Sequence, residues 1–160
     1  MRPGGRLLGA LGLALLASGG ARGQETAPLV PDPDEKCPVC GMFVARTPDW
    51  LAGVRFADGG HAVFDGAKDL FRFVLGDERD GRGHTARDVR SAFVTDYYSL
   101  RQVDAHGAWF VLGSDVLGPM GPELVPFAEE RAAREFLADH RGKRILRFAE
   151  VSAAVLKELE

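Results

Sequence analysis

An α+β fold of two similar ββαβ-type units, with mainly antiparallel strands and a short C-terminal helix, is what this sequence predicts. Three observations point that way. Short apolar runs come in pairs around glycine-rich turns, in "WLAGVRFADGGHAVFDG" and again in "AWFVLGSDV" followed by "ELVPF". Each pair precedes a segment with helical apolar spacing and then another strand-like run. Phe64 precedes Phe73 by nine residues, as Phe127 precedes Phe136. In each case the first phenylalanine closes a strand and the second lies on the buried face of the following helix, the signature of a repeated unit.

In chain order, the first hairpin turns at Asp58-Gly59-Gly60, which suits positive backbone angles. Asp65 is expected to cap a helix whose Leu70, Phe73 and Val74 share one face, with Gly76 as its stop. A polar loop from Asp77 to Arg90 leads to the strand "SAFVTDYYSL". In the second half, "AWFVLGSDV" and "ELVPF" flank the loop "LGPMGP". A helix with Ala133, Phe136 and Leu137 on one side follows, then the strand "KRILRF". The segment "EVSAAVLKELE" reads as the closing helix, packed across the seam between the halves. The halves are placed at about residues 37–100 and 101–150, within one unit spanning 37–160.

The chain begins "MRPGGRLLGALGLALLASGGARGQ", with arginines before an apolar run from Leu7 to Ala17 and small residues after it, the build of a secretory signal peptide. The run falls short of the ~20 apolar residues a spanning helix needs. Cleavage after Gly23 leaves 137 residues starting at Gln24, and loss of three arginines takes the formal charge from −3 to −6. Nothing in so acidic a chain neutralises phosphates in bulk, so a nucleic-acid partner is excluded. The proline- and acid-rich stretch 24–36 reads as an extended N-terminal arm. The expected compartment is the periplasm, reached through the signal peptide, where thiols tend to oxidise.

Chemistry concentrates in "EKCPVCGMFVA", which holds the only cysteines, Cys37 and Cys40. The spacing lets both sulfurs face one point, with Pro38 stiffening the loop and Gly41 permitting a tight exit. It suits a redox pair as well as a metal, although a thioredoxin-like pair follows a strand and opens a helix. A closed zinc site needs four nitrogen or sulfur ligands, and His61, His84, His106 and His140 are scattered. Met42 tips the balance, because thioether sulfur suits Cu(I). Besides Met1, the only other methionine is Met120, in the rigid turn "GPMGP" with no period to bury it. A soft-metal site of Cys37, Cys40, Met42 and Met120 explains both methionines. Asp65, Asp96 and Asp115 read as caps or turn residues. His106 reads as a turn histidine that could add a nitrogen ligand. Tyr97 and Tyr98 read as packing residues. No nucleophile elbow, phosphate loop or two-histidine helix is present, so hydrolytic chemistry has no machinery.

"KCPVCGMFVA", "FDGAKDLFRF", "VTDYYS", "VLGSDVLGPMGPELVPF" and "GKRILRF" resemble the successive blocks of the NosL family, accessory proteins of nitrous oxide reductase assembly. The resemblance runs from about Lys36 to Val151. It implies two ββα-type units, a fold related to part of organomercurial lyase, and binding of Cu(I) for delivery to the copper centres of nitrous oxide reductase. By position, Cys40-Gly41-Met42 matches the family's N-terminal metal motif, Cys37 its preceding cysteine, and Met120 the methionine of the later block. Many members carry a lipoprotein cysteine at the end of the leader. "LLASGGARG" has none, so no lipid anchor is expected, and the chain is either released or held by an uncleaved leader. The expectation is therefore a periplasmic Cu(I) metallochaperone without turnover, with nitrous oxide reductase or its assembly machinery as acceptor and a reducing partner for the thiols. The alternative is a thiol-disulfide oxidoreductase using Cys37 and Cys40. A lyase acting on carbon–mercury bonds has only the fold analogy behind it.

Overall fold

The computed structural model describes Met1, residues 27–76 and residues 78–160. The signal peptide expected over residues 1–23 lies, beyond Met1, outside the described residues. Two antiparallel sheets are built from the two ββαβ units. In the first unit, β1 (Ala52–Phe56) pairs with β2 (His61–Phe64). The chain then passes through α1 (Ala67–Leu75) to β3 (Val89–Thr95), which returns to the other side of β1. In the second, β5 (Trp109–Gly118) pairs with β6 (Gly121–Phe127), and α2 (Glu130–Asp139) leads to β7 (Arg144–Arg147) on the far side of β5. Between them β4 (Gln102–Asp104) adds to the edge of the first sheet. Every strand pairing is antiparallel.

The nine-residue phenylalanine offset has a physical counterpart. Phe64 ends β2 with its ring 5.3 Å from Phe73 on α1, and Phe127 ends β6 with its ring 4.9 Å from Phe136 on α2. Each helix is thus pinned to the last residue of its own hairpin by one aromatic pair.

Helix α1 is the centre of the molecule. The sequence suggests a helix with one apolar face, yet Ala67, Lys68, Asp69, Leu70, Phe71 and Phe73 are all buried. The helix touches β1 and β2 of its own unit, β6 of the other and α3 (Ala153–Lys157). One core therefore joins both halves: Val54, Phe56 and Val94 of the first sheet and Phe110, Leu112 and Leu124 of the second lie in the same cluster. On the opposite face of the second sheet, Val111, Val125 and Phe127 pack against Ala133 and Phe136 of α2.

Several local expectations change. The N-terminal arm is docked over its described part: Leu29 is buried, its N–H donates to Gln102 Oε1 (2.8 Å), and its carbonyl accepts from Gln102 Nε2 (2.6 Å). The strand expected over residues 91–100 ends at Thr95, because Asp96 turns the chain. Its carboxylate accepts from Ser99 N, Ser99 Oγ and Ala128 N (2.8, 2.6 and 2.7 Å). That bears out the turn role of Asp96. Asp115, by contrast, lies within β5 rather than at its end, in a stretch where pairing with β6 is interrupted between Leu112 and Leu117.

Candidate metal centre

The cysteine loop is closed by its own backbone. Cys37 N–H donates to Met42 O and Gly41 N–H to Cys37 O, both at 2.9 Å, and Lys36 pairs with Phe43 across the base. Gly41 sits at φ +78°, a conformation that favours glycine and turns the chain sharply after Cys40. Both sulfurs face the first turn of α1 from this loop.

Two carboxylates meet them there. Cys37 Sγ lies 3.4 Å from Asp69 Oδ2, and Cys40 Sγ lies 3.2 Å from Asp65 Oδ1. One ligand atom from each of Cys37, Cys40, Asp65 and Asp69 falls within 4.8 Å of every other. Cys37 and both aspartates are 1 % exposed, while Cys40 is half-buried and forms the open side of the group. Asp69 Oδ1 is held by Arg72 Nη1 at 3.1 Å, but Asp65 Oδ2 is buried without a partner. A buried carboxylate oxygen left alone is costly, and a cation held among these four groups would give it a partner.

This corrects the cap reading of Asp65. The N-cap of α1 is Gly66, and no side chain of its own caps the helix. The cap comes instead from the other half: Glu123 Oε1 of β6 accepts from Lys68 N–H at 2.6 Å. Asp69 joins the cluster without a motif of its own to mark it in the sequence. Its position on α1 resembles a solvent face as long as only Leu70, Phe73 and Val74 are taken as the buried stripe. Phe71, off that stripe, was the available signal that the other side of the helix is covered too.

Both thiols are held protonated. Burial pushes the Cys40 thiol up to about 12, with the hydrogen bonds to Asp65 and Asp69 adding to the rise. The Cys37 thiol is raised further, again chiefly by burial, with the Asp69 charge reinforcing it. A redox nucleophile needs the reverse, a depressed thiol pKa in an electropositive setting. The pair also follows the docked arm and opens no α-helix. The structure therefore gives the oxidoreductase alternative no support.

The methionines are placed by backbone. Half-buried Met42 belongs to the closed cysteine loop. Met120 is 44 % exposed at the tip of the β5–β6 hairpin, where its carbonyl accepts from Lys68 Nζ at 2.8 Å. That brings the hairpin tip to the start of α1, beside the residues that carry the carboxylates. His106 lies elsewhere, its ring tilted against Phe148 with centres 4.1 Å apart, and 3.4 Å from Asp104. His61, His84 and His140 likewise face Glu35, Asp58 with Asp80, and Asp115.

The NosL family model matches residues 28–156. The copper-binding lipoprotein NosL of Stutzerimonas stutzeri is 31 % identical over 139 residues, covering 84 % of this chain and 71 % of that protein. The crystal structure of the copper chaperone NosL from Shewanella denitrificans superposes with a TM-score of 0.67 at 26 % identity, over 79 % of this chain and 96 % of that one.

Proposed function

The chain belongs to the NosL family, and from that premise we propose that it is an extracytoplasmic Cu(I) chaperone that carries copper for nitrous oxide reductase. The observation behind this reading is the pair of unbridged thiols, fixed in one closed loop and presented to a half-open cluster. Soft sulfur donors suit monovalent copper, and the relatives above are named for copper binding and copper chaperoning rather than for an enzymatic activity. Cys37 and Cys40 hold the ion, with Met42 and Met120 as exchangeable thioethers. The aspartates accept hydrogen bonds from the thiols before loading, and copper displaces the thiol protons as it enters.

Burial supports a division of roles in transfer. Cys37 is buried, while Cys40 is half-buried and Met120 is exposed, so an acceptor would replace the more accessible donors before the inner one. Thioether donation is the weaker, which suits release. The thiols must stay reduced, so a reducing partner, or loading before oxidation, belongs to the proposal. The expected compartment is the periplasm. A relative that is a lipoprotein fits an envelope location, although the leader of this chain contains no cysteine.

Anaerobic titration of reduced protein with Cu(I) against a competing chelator tests the reading. Met42→Leu and Met120→Leu are each expected to weaken binding by about tenfold or more, with unchanged thiol titration. Normal copper binding in both variants, together with rapid reduction of a generic disulfide, would overturn the chaperone assignment.

A further inference from the structure

Lys68 and Glu123 are both 3 % exposed, and neither binds the cluster directly. Lys68 Nζ donates to the carbonyls of Met120 and Pro122, each at 2.8 Å, while its backbone N–H donates to Glu123 Oε1 at 2.6 Å. The same oxygen accepts from Leu124 N–H at 2.8 Å. Two glycines make the room. A Cβ on Gly66 would fall 2.2 Å from Glu123 Oε2, and one on Gly118 would fall 3.0 Å from its Cγ.

Burying an ammonium and a carboxylate is a costly way to join two elements, since apolar residues of similar volume often do so at least as well. What apolar packing does not supply here is a grip on the hairpin tip. Leu117 and Met120 are 62 % and 44 % exposed, and beyond the interruption after Leu112 the β5–β6 ladder consists of the pairings of Leu117 with Pro122 and of Gly118 with Gly121. Left to itself, such a tip is among the least protected parts of a fold. The two carbonyls taken by Lys68 are those of Met120 itself and of Pro122, and the next residue along the helix is Asp69.

We propose that Lys68 and Glu123 are positioning residues for copper: a buried latch that holds the Met120 tip of one half against the helix of the other half that carries Asp69. The inference rests on the copper reading above and deepens it. The latch preorganises a donor from a distant segment, so that binding does not have to order the tip.

A double-mutant cycle on the full chain tests this, with Cu(I) affinity read by anaerobic chelator competition on reduced protein. Lys68→Leu, which leaves both carbonyls without a donor, is expected to weaken binding by about tenfold or more, as supporting groups around metal ligands do. In a Met120→Leu background the same change is expected to cost almost nothing, because there is no thioether left to place. Glu123→Gln keeps the acceptor and is expected to retain affinity, whereas Glu123→Leu loses it. X-ray absorption of copper-loaded Lys68→Leu is expected to show fewer sulfur neighbours than the parent chain. Should the leucine variant unfold, Lys68→Gln, which can hold one of the two carbonyls, enters the same cycle. Independent, multiplying losses from Lys68 and Met120 would overturn the latch and leave the chaperone reading standing. A parent chain that takes up no Cu(I) would instead overturn the chaperone reading itself.

Discussion

On the proposed reading, Cys37 and Cys40 enter the copper reaction as thiols and leave it as thiolates. Both are raised, chiefly by burial, Cys40 to about 12, so protons compete with the metal across the whole physiological range. Apparent Cu(I) affinity is therefore expected to increase by up to about a hundredfold per pH unit, tenfold for each thiol proton displaced. Chelator competition between about pH 6 and pH 8 measures this slope, and a flat profile would mean that the thiols are not the donors. The two cysteines are legible in the sequence, since their spacing is local. Asp65 and Asp69 could not, because they lie 25 and 32 residues from their sulfur partners and meet them only when α1 docks on the cysteine loop.

Among the elements, the segment between α1 and β3 is tied down by a histidine rather than by apolar packing. His84 bridges Asp80 (Nδ1, 2.8 Å) and Asp58 (Nε2, 2.9 Å) and stacks on Phe56 with ring centres 4.1 Å apart. This clasps the loop to the β1–β2 turn. The hydrogen bond to Asp80, and after it the one to Asp58, raises the His84 pKa. A raised histidine contributes stability that is complete below its ordinary pKa of about 6.5 and is lost as pH climbs through the raised value. Amide protection of Arg82 and His84, whose N–H groups bond to Asp80 Oδ1, is expected to fall across that window. His84→Phe, which keeps the stack on Phe56 and loses both carboxylate contacts, should remove the pH dependence. Hydrogen exchange corrected for intrinsic rates gives the comparison, and protection independent of pH in the parent chain would count against the clasp. The hairpin at Asp58-Gly59-Gly60, both long helices and the "GPMGP" turn were legible from turn chemistry and apolar period. Strand β4 was not, because three residues, Gln102–Asp104, are too few to show alternation.

At the scale of the molecule, the two units repeat one topology but share one core. Phe71 on α1 lies 5.0 Å from Phe110 of the second sheet and 4.8 Å from Phe148. Phe71→Ala is expected to cost about 3–5 kcal/mol, the range for emptying a buried aromatic site. Unfolding should stay a single transition, because the cavity opens in a cluster that both halves need. Urea curves from tryptophan fluorescence and from far-ultraviolet circular dichroism should coincide. Two separated transitions would show that the halves fold independently.

The amino-acid sequence alone determined the fold class, the repeated ββαβ order and the pairing of two cysteines in one short loop. Each of these is written in short-range signals: turn residues, apolar periods of two or near four, and two cysteines three residues apart. The tertiary structure alone decided that α1 lies between two sheets. That placement turns Lys68 and Asp69 from surface charges into buried groups, brings Asp65 and Asp69 to the sulfurs, and ties the carbonyl of Met120 at the hairpin tip to Lys68. No local pattern encodes it. A helix covered on one side and a helix covered on both sides can carry the same stripe, and only the packing of the second half onto the first tells them apart.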